Sequence, residues 1–219
     1  MTSGAVLRAQ EVTFGYNRNH PILRNLDLEV DAGEIVGISG ENGSGKSTLL
    51  KAIIGLLKPQ QGTIRVRGRA GYSPQELLLF DHLTVRENFR VFGRAAGLPR
   101  ARIDHDADSL MERLGFTKYR ETKIGELSGG TAQKLNFAIS LLGSPEVLVL
   151  DEPYQGMDHA SYVAFWEMQQ ALRRHGKAII VVSHLIEDEK RFTRTLHLVN
   201  GRLQACAQKG CPYCGEGPP

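Results

Sequence analysis

The sequence predicts an α/β fold with a mainly parallel core sheet, N-terminal antiparallel strands and a helical subdomain, and three observations predict it. In the final third, strand and helix patterns alternate, an order that yields parallel strands covered on both faces. At residues 40–47 a glycine-rich segment joins a short apolar run to a helical pattern. Between about 76 and 142 the pattern is helical, with few strand signals.

The elements follow in order. Glu11 to Phe14 and Leu26 to Val30 alternate as half-buried strands do. Glu34 to Ser39 is an apolar run bounded by glycines, the mark of a buried strand. A helix follows from Ser47 to Ile54, with Leu49, Leu50, Ile53 and Ile54 on one face and Gly55 and Pro59 ending it. Thr63 to Val66 and Gly71 to Ser73 read as short strands. Thr84 to Ala96 and Ile103 to Leu114 read as helices, with Gly97 and Gly115 where C-terminal caps belong. Then come strand Val147 to Leu150, helix Ala160 to His175, strand Ala178 to Val182 and helix Leu185 to Arg191. Strands Thr195 to Val199 and Arg202 to Cys206 close the fold, giving one domain over 1–207 and a biased tail over 208–219.

Composition narrows the function. The 219 residues are 41% apolar and 23% charged, as in a soluble globular domain. A net charge of +3 gives no argument for nucleic acid, and no nucleic-acid partner is expected. No apolar run approaches the roughly 18–20 residues of a membrane span. The N-terminus lacks the basic start and long apolar stretch of a signal peptide, so the expectation is a cytoplasmic chain whose membrane role needs a partner.

Gly40-Glu-Asn-Gly-Ser-Gly-Lys-Ser47 matches the phosphate-binding loop G-x-x-x-x-G-K-[ST], and it stands after a buried strand and before a helix. Gly40, Gly43 and Gly45 let backbone N–H groups approach phosphate, and the helix start adds partial positive charge. Lys46 reaches the outer phosphates and the Ser47 hydroxyl is placed for Mg²⁺. Asn42, Ser44 and Thr48 complete the nucleotide-binding set. Val147 to Leu150 ends in Asp151-Glu152-Pro153, beyond the carboxyl end of a strand, where ligands of such sheets bind. Asp151 is a candidate Mg²⁺ ligand and Glu152 the candidate base for an attacking water. Read alone, an Asp-Glu pair after a strand is an ordinary solvated loop; the loop upstream gives it meaning.

Over about residues 5 to 205 the chain resembles the nucleotide-binding domains of ABC transporters, a P-loop NTPase family. The decisive motif is Leu127-Ser-Gly-Gly-Thr131, similar to the family signature, which usually reads LSGGQ. The resemblance implies a head-to-tail dimer, homo- or heteromeric, in which Ser128, Gly129 and Gly130 of one subunit close over ATP held by the other. It implies that Tyr16 stacks on adenine. It implies that Gln75 contacts Mg²⁺ and the water and faces a membrane partner. It implies that Asp158, in Gly156-Met-Asp158, lies at the dimer interface and that His184 contacts the γ-phosphate. Taken singly, Tyr16 reads as a strand-end aromatic, Gln75 as a surface loop residue and His184 as a satisfied histidine; six motifs in family order carry the reading. Thr131, Tyr154-Gln155 and Met157 depart from the usual motifs without removing a phosphate or Mg²⁺ ligand.

The implied function is ATP hydrolysis powering transport through a separate transmembrane permease, with the subunit peripheral on the inner face of the cell membrane. Leu83 to Asn88, Gly97-Leu-Pro99 and Ala132 to Leu135 resemble the branch that exports drugs, antibiotics and peptides. Import, cofactor transport and non-transport work on a macromolecular partner stay open as alternatives. Trp166 and Met168 read as packing residues. The three cysteines, Cys206, Cys211 and Cys214, all lie in the last 14 residues. Cys211-Pro-Tyr-Cys214 has the form of one zinc knuckle, with a free-thiol tail and a redox pair as the other readings.

Overall fold

A computed structural model describes residues 4–17, 19–154, 159–183 and 189–205. Strands β1 (Ala5–Phe14), β2 (Leu23–Asp31) and β4 (Gln61–Val66) form an antiparallel sheet in the order β2-β1-β4. Strands β3 (Ile35–Ser39), β5 (Ala70–Ser73), β6 (Val147–Asp151), β7 (Ala178–Val182), β8 (Arg194–Val199) and β9 (Arg202–Ala205) form the second sheet, ordered β5-β6-β7-β3-β8-β9. Its pairs are parallel from β5 through β8, and β9 returns antiparallel.

The central strands β3, β6 and β7 are buried along their whole length because both faces are covered. Their side chains divide by strand alternation. Leu148, Leu150, Ile179 and Val181 join a cluster with Phe89, Phe137, Phe165 and Trp166. Val147, Val149, Ile180 and Val182 join a second cluster with Leu49, Leu50 and the inner residues of β1 and β2. Each fully buried side chain of this kind contributes about 1.5–3 kcal/mol.

Helix α1 (Lys46–Ile53) follows β3. Three helices, α2 (Val85–Ala95), α3 (Arg100–Arg113) and α4 (Gly129–Ser140), lie between β5 and β6. α2 begins with a full capping box, Thr84 and Glu87 exchanging hydrogen bonds. α5 (His159–Arg174) links β6 to β7.

The differences from the sequence reading have local causes. β1 begins at Ala5 rather than Glu11 because the pairing with β2 shifts between Ala9 and Val12, which breaks the alternation. Glu11, at φ 50, takes that irregularity, and its N–H donates to the Asp27 carboxylate at 2.8 Å. α3 begins at Arg100, just after Pro99, three residues ahead of the expected start. Of the helix expected over Leu185 to Arg191, the described part, Glu189–Arg191, is a single 3₁₀ turn. Cys206 and the tail lie outside the described residues.

Candidate functional site

The parallel strands deliver their carboxyl ends to one edge. β3 ends at Ser39, directly before Gly40; β5 ends at Ser73, two residues before Gln75; β6 ends at Asp151. Register fixes their neighbours: Ser73 pairs with Leu150, Asp151 with Val182, and Ile38 with Val182. Ser183, the residue after β7, donates its N–H to Ile38 O at 3.1 Å. The glycine loop, the Gln75 segment and the acidic pair therefore start from the same edge of the sheet, β5 and β6 side by side and β3 separated from β6 by one strand.

The loop is shaped for close approach. A Cβ on Gly40 would lie 2.6 Å from the Leu198 carbonyl oxygen. Gly45 has φ +105, and a Cβ there would stand 2.7 Å from Ile22 Cγ2. Lys46 is buried and curls back, donating to the Gly40 and Glu41 carbonyls at 2.7 and 2.9 Å. Burial lowers its pKa, opposed by the nearby Glu152 and Asp151 carboxylates. The Ser44 hydroxyl is buried with no partner among the described residues. An orphaned hydroxyl beside a buried ammonium and backbone N–H groups fits a polyanion such as a nucleotide phosphate chain. A cleft of about 560 Å³ runs along the loop's outer side, between Asn42 to Ser44 and the turn at Asn200 and Gly201. Thr48 is buried in the first turn of α1, and Ser47 is exposed. Tyr16 is 67% exposed, and its ring stands perpendicular to that of Phe14 with 5.3 Å between centroids.

The acidic pair is held under strain. Asp151 is buried, and desolvation raises its pKa, partly offset by a hydrogen bond with the Ser47 side chain and raised further by Glu152. Burial and the Asp151 charge push the Tyr72 phenol up to about 12. A carboxylate already in contact with a hydroxyl, in surroundings that disfavour the carboxylate charge, suits a hard divalent cation that takes oxygen ligands. Glu152 is buried at φ 47, a left-handed conformation unusual for its type. Ser183 Oγ donates to its Oε2 at 2.9 Å. That brace was missed in sequence, where Ser183 is an unremarked residue after a strand.

Ser128 caps α4, accepting from Thr131 N–H at 3.3 Å, and its hydroxyl also meets the Thr131 hydroxyl at 2.9 Å. Thr131 thus turns toward the cap, where the usual motif has glutamine. A Cβ on Gly129 or Gly130 would meet nothing within 4 Å, so this helix start presents open backbone. Ser128 and Gly129 are exposed, and the hydrogen bonds described for Ser128 stay within its own first turn. Gln75 is likewise exposed. Asp158, His184, Cys211 and Cys214 lie outside the described residues, and the described residues hold no cluster of three or more metal-ligating side chains.

Two further residues went unread in the sequence. Asn136 donates to Ser73 Oγ at 3.1 Å and Pro74 O at 3.0 Å; Gln133 donates to Pro153 O at 3.3 Å. Both are buried on α4, so the helix that opens with Ser128 is tied to the Gln75 loop and to the acidic loop. Buried amides on an otherwise apolar face were the available signal. Tyr154 packs its ring 6.1 Å from Trp166, which confirms Trp166 as a packing residue.

The family model for the ABC transporter matches residues 23–155. The zinc import ATP-binding protein ZnuC of Chromohalobacter salexigens is 41% identical over 191 residues, covering 86% of this chain and 77% of the relative. The Nod factor export ATP-binding protein I of Cupriavidus metallidurans is 33% identical over 208 residues, covering 90% and 68%. Mouse ATP-binding cassette sub-family A member 7 is 34% identical over 93% of this chain, which spans only 10% of that protein's length. A solved structure, the ATP-binding subunit of an ABC transporter, superposes with TM-score 0.83 at 28% identity, covering 91% of this chain and 88% of that one. The chain therefore belongs to the ABC transporter family as one of its ATP-binding domains, the type of domain that hydrolyses ATP.

Proposed function

We propose that the chain is the ATPase subunit of an exporter, driving a substrate through a separate membrane permease from the cytoplasmic face of the membrane. The observation that carries this reading is the apolar stretch next to the gathered strand ends. Leu77, Leu78 and Phe80, directly after Gln75, are 39%, 61% and 50% exposed, and Val91 is 39% exposed. Exposed apolar side chains this close in sequence to Gln75 are what a docked partner would cover. The similarity to a Nod factor export ATP-binding protein favours export.

The proposed roles rest on the positions of the described residues and, for Asp158 and His184, on the family resemblance alone. Lys46, Ser44 and the N–H groups of Gly40, Asn42, Gly43 and Gly45 hold the phosphate chain, with Thr48 behind them, and Tyr16 stacks on the base. Mg²⁺, held by Ser47, Asp151 and Gln75, would neutralise phosphate charge. Glu152 orients the attacking water, with Ser183 fixing its carboxylate, and His184 and Gln75 position the reacting groups. Ser128, Gly129, Gly130 and Asp158 complete the site of a second ATPase subunit, identical or related. One ATPase domain spans 1–207, its helical part about 76–142. For the cysteine tail the reading is conditional: Cys211 and Cys214 would hold zinc only with a partner's ligands beside them, the other readings being free thiols and a redox pair; less than about a tenth of a zinc per chain in protein purified without chelator, unchanged in Cys211→Ser with Cys214→Ser, would refute zinc binding.

A second reading, import, has a specific observation behind it: the 41% identical relative is named a zinc importer. One experiment addresses both. Tagged chain is purified from membranes in mild detergent, and the multi-spanning protein that accompanies it is reconstituted into vesicles. Leu78→Asp with Phe80→Asp should release that protein, and transport away from the ATP-containing side marks export. Recovery of the chain with no membrane protein refutes the permease-docked reading; movement toward ATP establishes import.

A further inference from the structure

A second cavity lies at the opposite end of the sheet from the nucleotide loop. It is lined where β6 and β7 begin, by Leu148 and Lys177, and by one face each of α3 and α5. Its volume is about 150 Å³, and it is half-enclosed. Leu110, Leu141, Leu148, Met168 and Leu172 give it an apolar floor. A cavity of that size with such a lining accepts a body of about the size of benzene.

The rim is polar and carries excess positive charge. Arg102, Asp106, Arg113 and Lys177 all line it. Asp106 is satisfied: it accepts from Arg102 Nε at 2.8 Å and from Gly143 N–H at 3.1 Å. Among the described residues Lys177 donates one hydrogen bond, to Ser144 O at 2.9 Å, which leaves two of its N–H groups. Glu146, the other acid near Lys177, accepts from Arg69 N–H at 2.7 Å and does not line the cavity. Arg113 forms no ion pair among the described residues. The Ser109 hydroxyl and the His105 ring also line the cavity and can hydrogen-bond to an occupant. An apolar floor beneath two cations with spare donors matches a small carboxylate attached to a single ring or a short branched chain.

We propose that this cavity is a binding site for a small monocarboxylate with a benzene-sized apolar body, separate from the nucleotide site. Arg113 and Lys177 take the carboxylate; Leu110, Met168 and Leu172 take the body. The occupant would touch α3, from the helical stretch between β5 and β6, and also α5, which follows the acidic strand. It would therefore bridge the part of the chain that carries Ser128 to the part that carries Glu152.

The test uses benzoate as probe on the whole chain, with benzyl alcohol as its neutral counterpart, read by calorimetry and by ligand-observed NMR. A ligand this small is expected to bind with a Kd of about 1 mM or tighter. Benzyl alcohol should bind at least tenfold more weakly, as should benzoate to the Arg113→Gln, Lys177→Gln variant. Leu172→Trp should abolish binding by filling the floor, and Lys46→Ala should leave it unchanged. Melting curves confirm that each variant is folded; Arg113 is exposed, so its replacement alone is a safe second variant. Equal binding of benzyl alcohol and benzoate overturns the proposal. So does normal benzoate binding by the charge variants, or a lack of saturation up to about 10 mM.

Discussion

Glu152→Gln separates chemistry from stability, and the structure sets the size of each effect. The side chain is 6% exposed and accepts from Ser183 Oγ at 2.9 Å. Glutamine keeps the shape and an acceptor oxygen but loses the charge. A charge-assisted hydrogen bond is worth about 1.5–3 kcal/mol and a neutral one about 0.5–1.5, so the swap costs about 1 kcal/mol. Relief of the repulsion between Glu152 and Asp151 offsets part of that cost. The melting temperature should fall by no more than about 2–4 °C for a domain of this size. Turnover should fall about 10²- to 10⁴-fold, the loss expected when a general base is removed. Glu152→Gly is the companion variant. It relieves about 1 kcal/mol of left-handed strain at φ 47 but leaves the Ser183 hydroxyl without its acceptor. Both variants should therefore stay folded and lose hydrolysis together. The assay is phosphate release at saturating Mg-ATP, beside equilibrium nucleotide binding and thermal melts. Turnover within tenfold of the parent would refute the role of Glu152. A drop in melting temperature beyond about 10 °C would show the loss to be unfolding.

Other consequences are equally open to measurement. Lys46→Ala should weaken ATP binding at least tenfold in equilibrium dialysis, because bound phosphate loses the buried ammonium; unchanged affinity would remove Lys46 from the site. Ser128→Arg should abolish hydrolysis while leaving ATP binding intact, and parent activity should rise more than linearly with protein concentration. A rate strictly proportional to concentration in demonstrably monomeric protein would exclude a shared site. Arg90 donates to both oxygens of Asp104, at 2.8 and 3.2 Å, joining α2 to α3, and this hydrogen bonding holds the Asp104 pKa below its ordinary value. A lowered folded-state pKa stabilises above the unfolded pKa, near pH 4, and that stability is lost as pH falls through the folded value. With both side chains partly exposed, Asp104→Asn should cost about 0.5–1 kcal/mol at pH 7, or about 2 °C, with the difference shrinking below about pH 4. A pH-independent difference would mean that packing, not charge, accounts for it.

The alternation of Val147 to Leu150 and Ala178 to Val182 with helical stretches was enough to announce a parallel sheet, because strands covered on both faces must be apolar throughout. The glycine loop was legible because its spacing is tied to a backbone geometry few other residues can adopt. The first half of β1 was not, since its shift near Glu11 moves side chains to the other face and breaks the period on which the reading depends. Site residues that act through side-chain chemistry could be named from motifs. Those that act by holding loops could not: Ser183, Gln133 and Asn136 find their partners only across long sequence separations, through pairings that register creates.

Trp166 is the only tryptophan in the chain. Its indole lies 6.1 Å from the ring of Tyr154, two residues beyond Glu152, and 5.1 Å from Phe192, with the Arg191 guanidinium 5.6 Å from its centroid. The ring is 2% exposed, and its N–H is buried without an acceptor among the described residues. Its emission should therefore be blue-shifted at rest and should respond to any displacement of the loop that carries Glu152. The chain thus holds an intrinsic optical probe in ring contact with the segment that carries its proposed catalytic base. Stopped-flow mixing with nucleotide could follow rearrangement of the acidic loop in unlabelled protein, and Tyr154→Leu would identify which part of the signal comes from that loop.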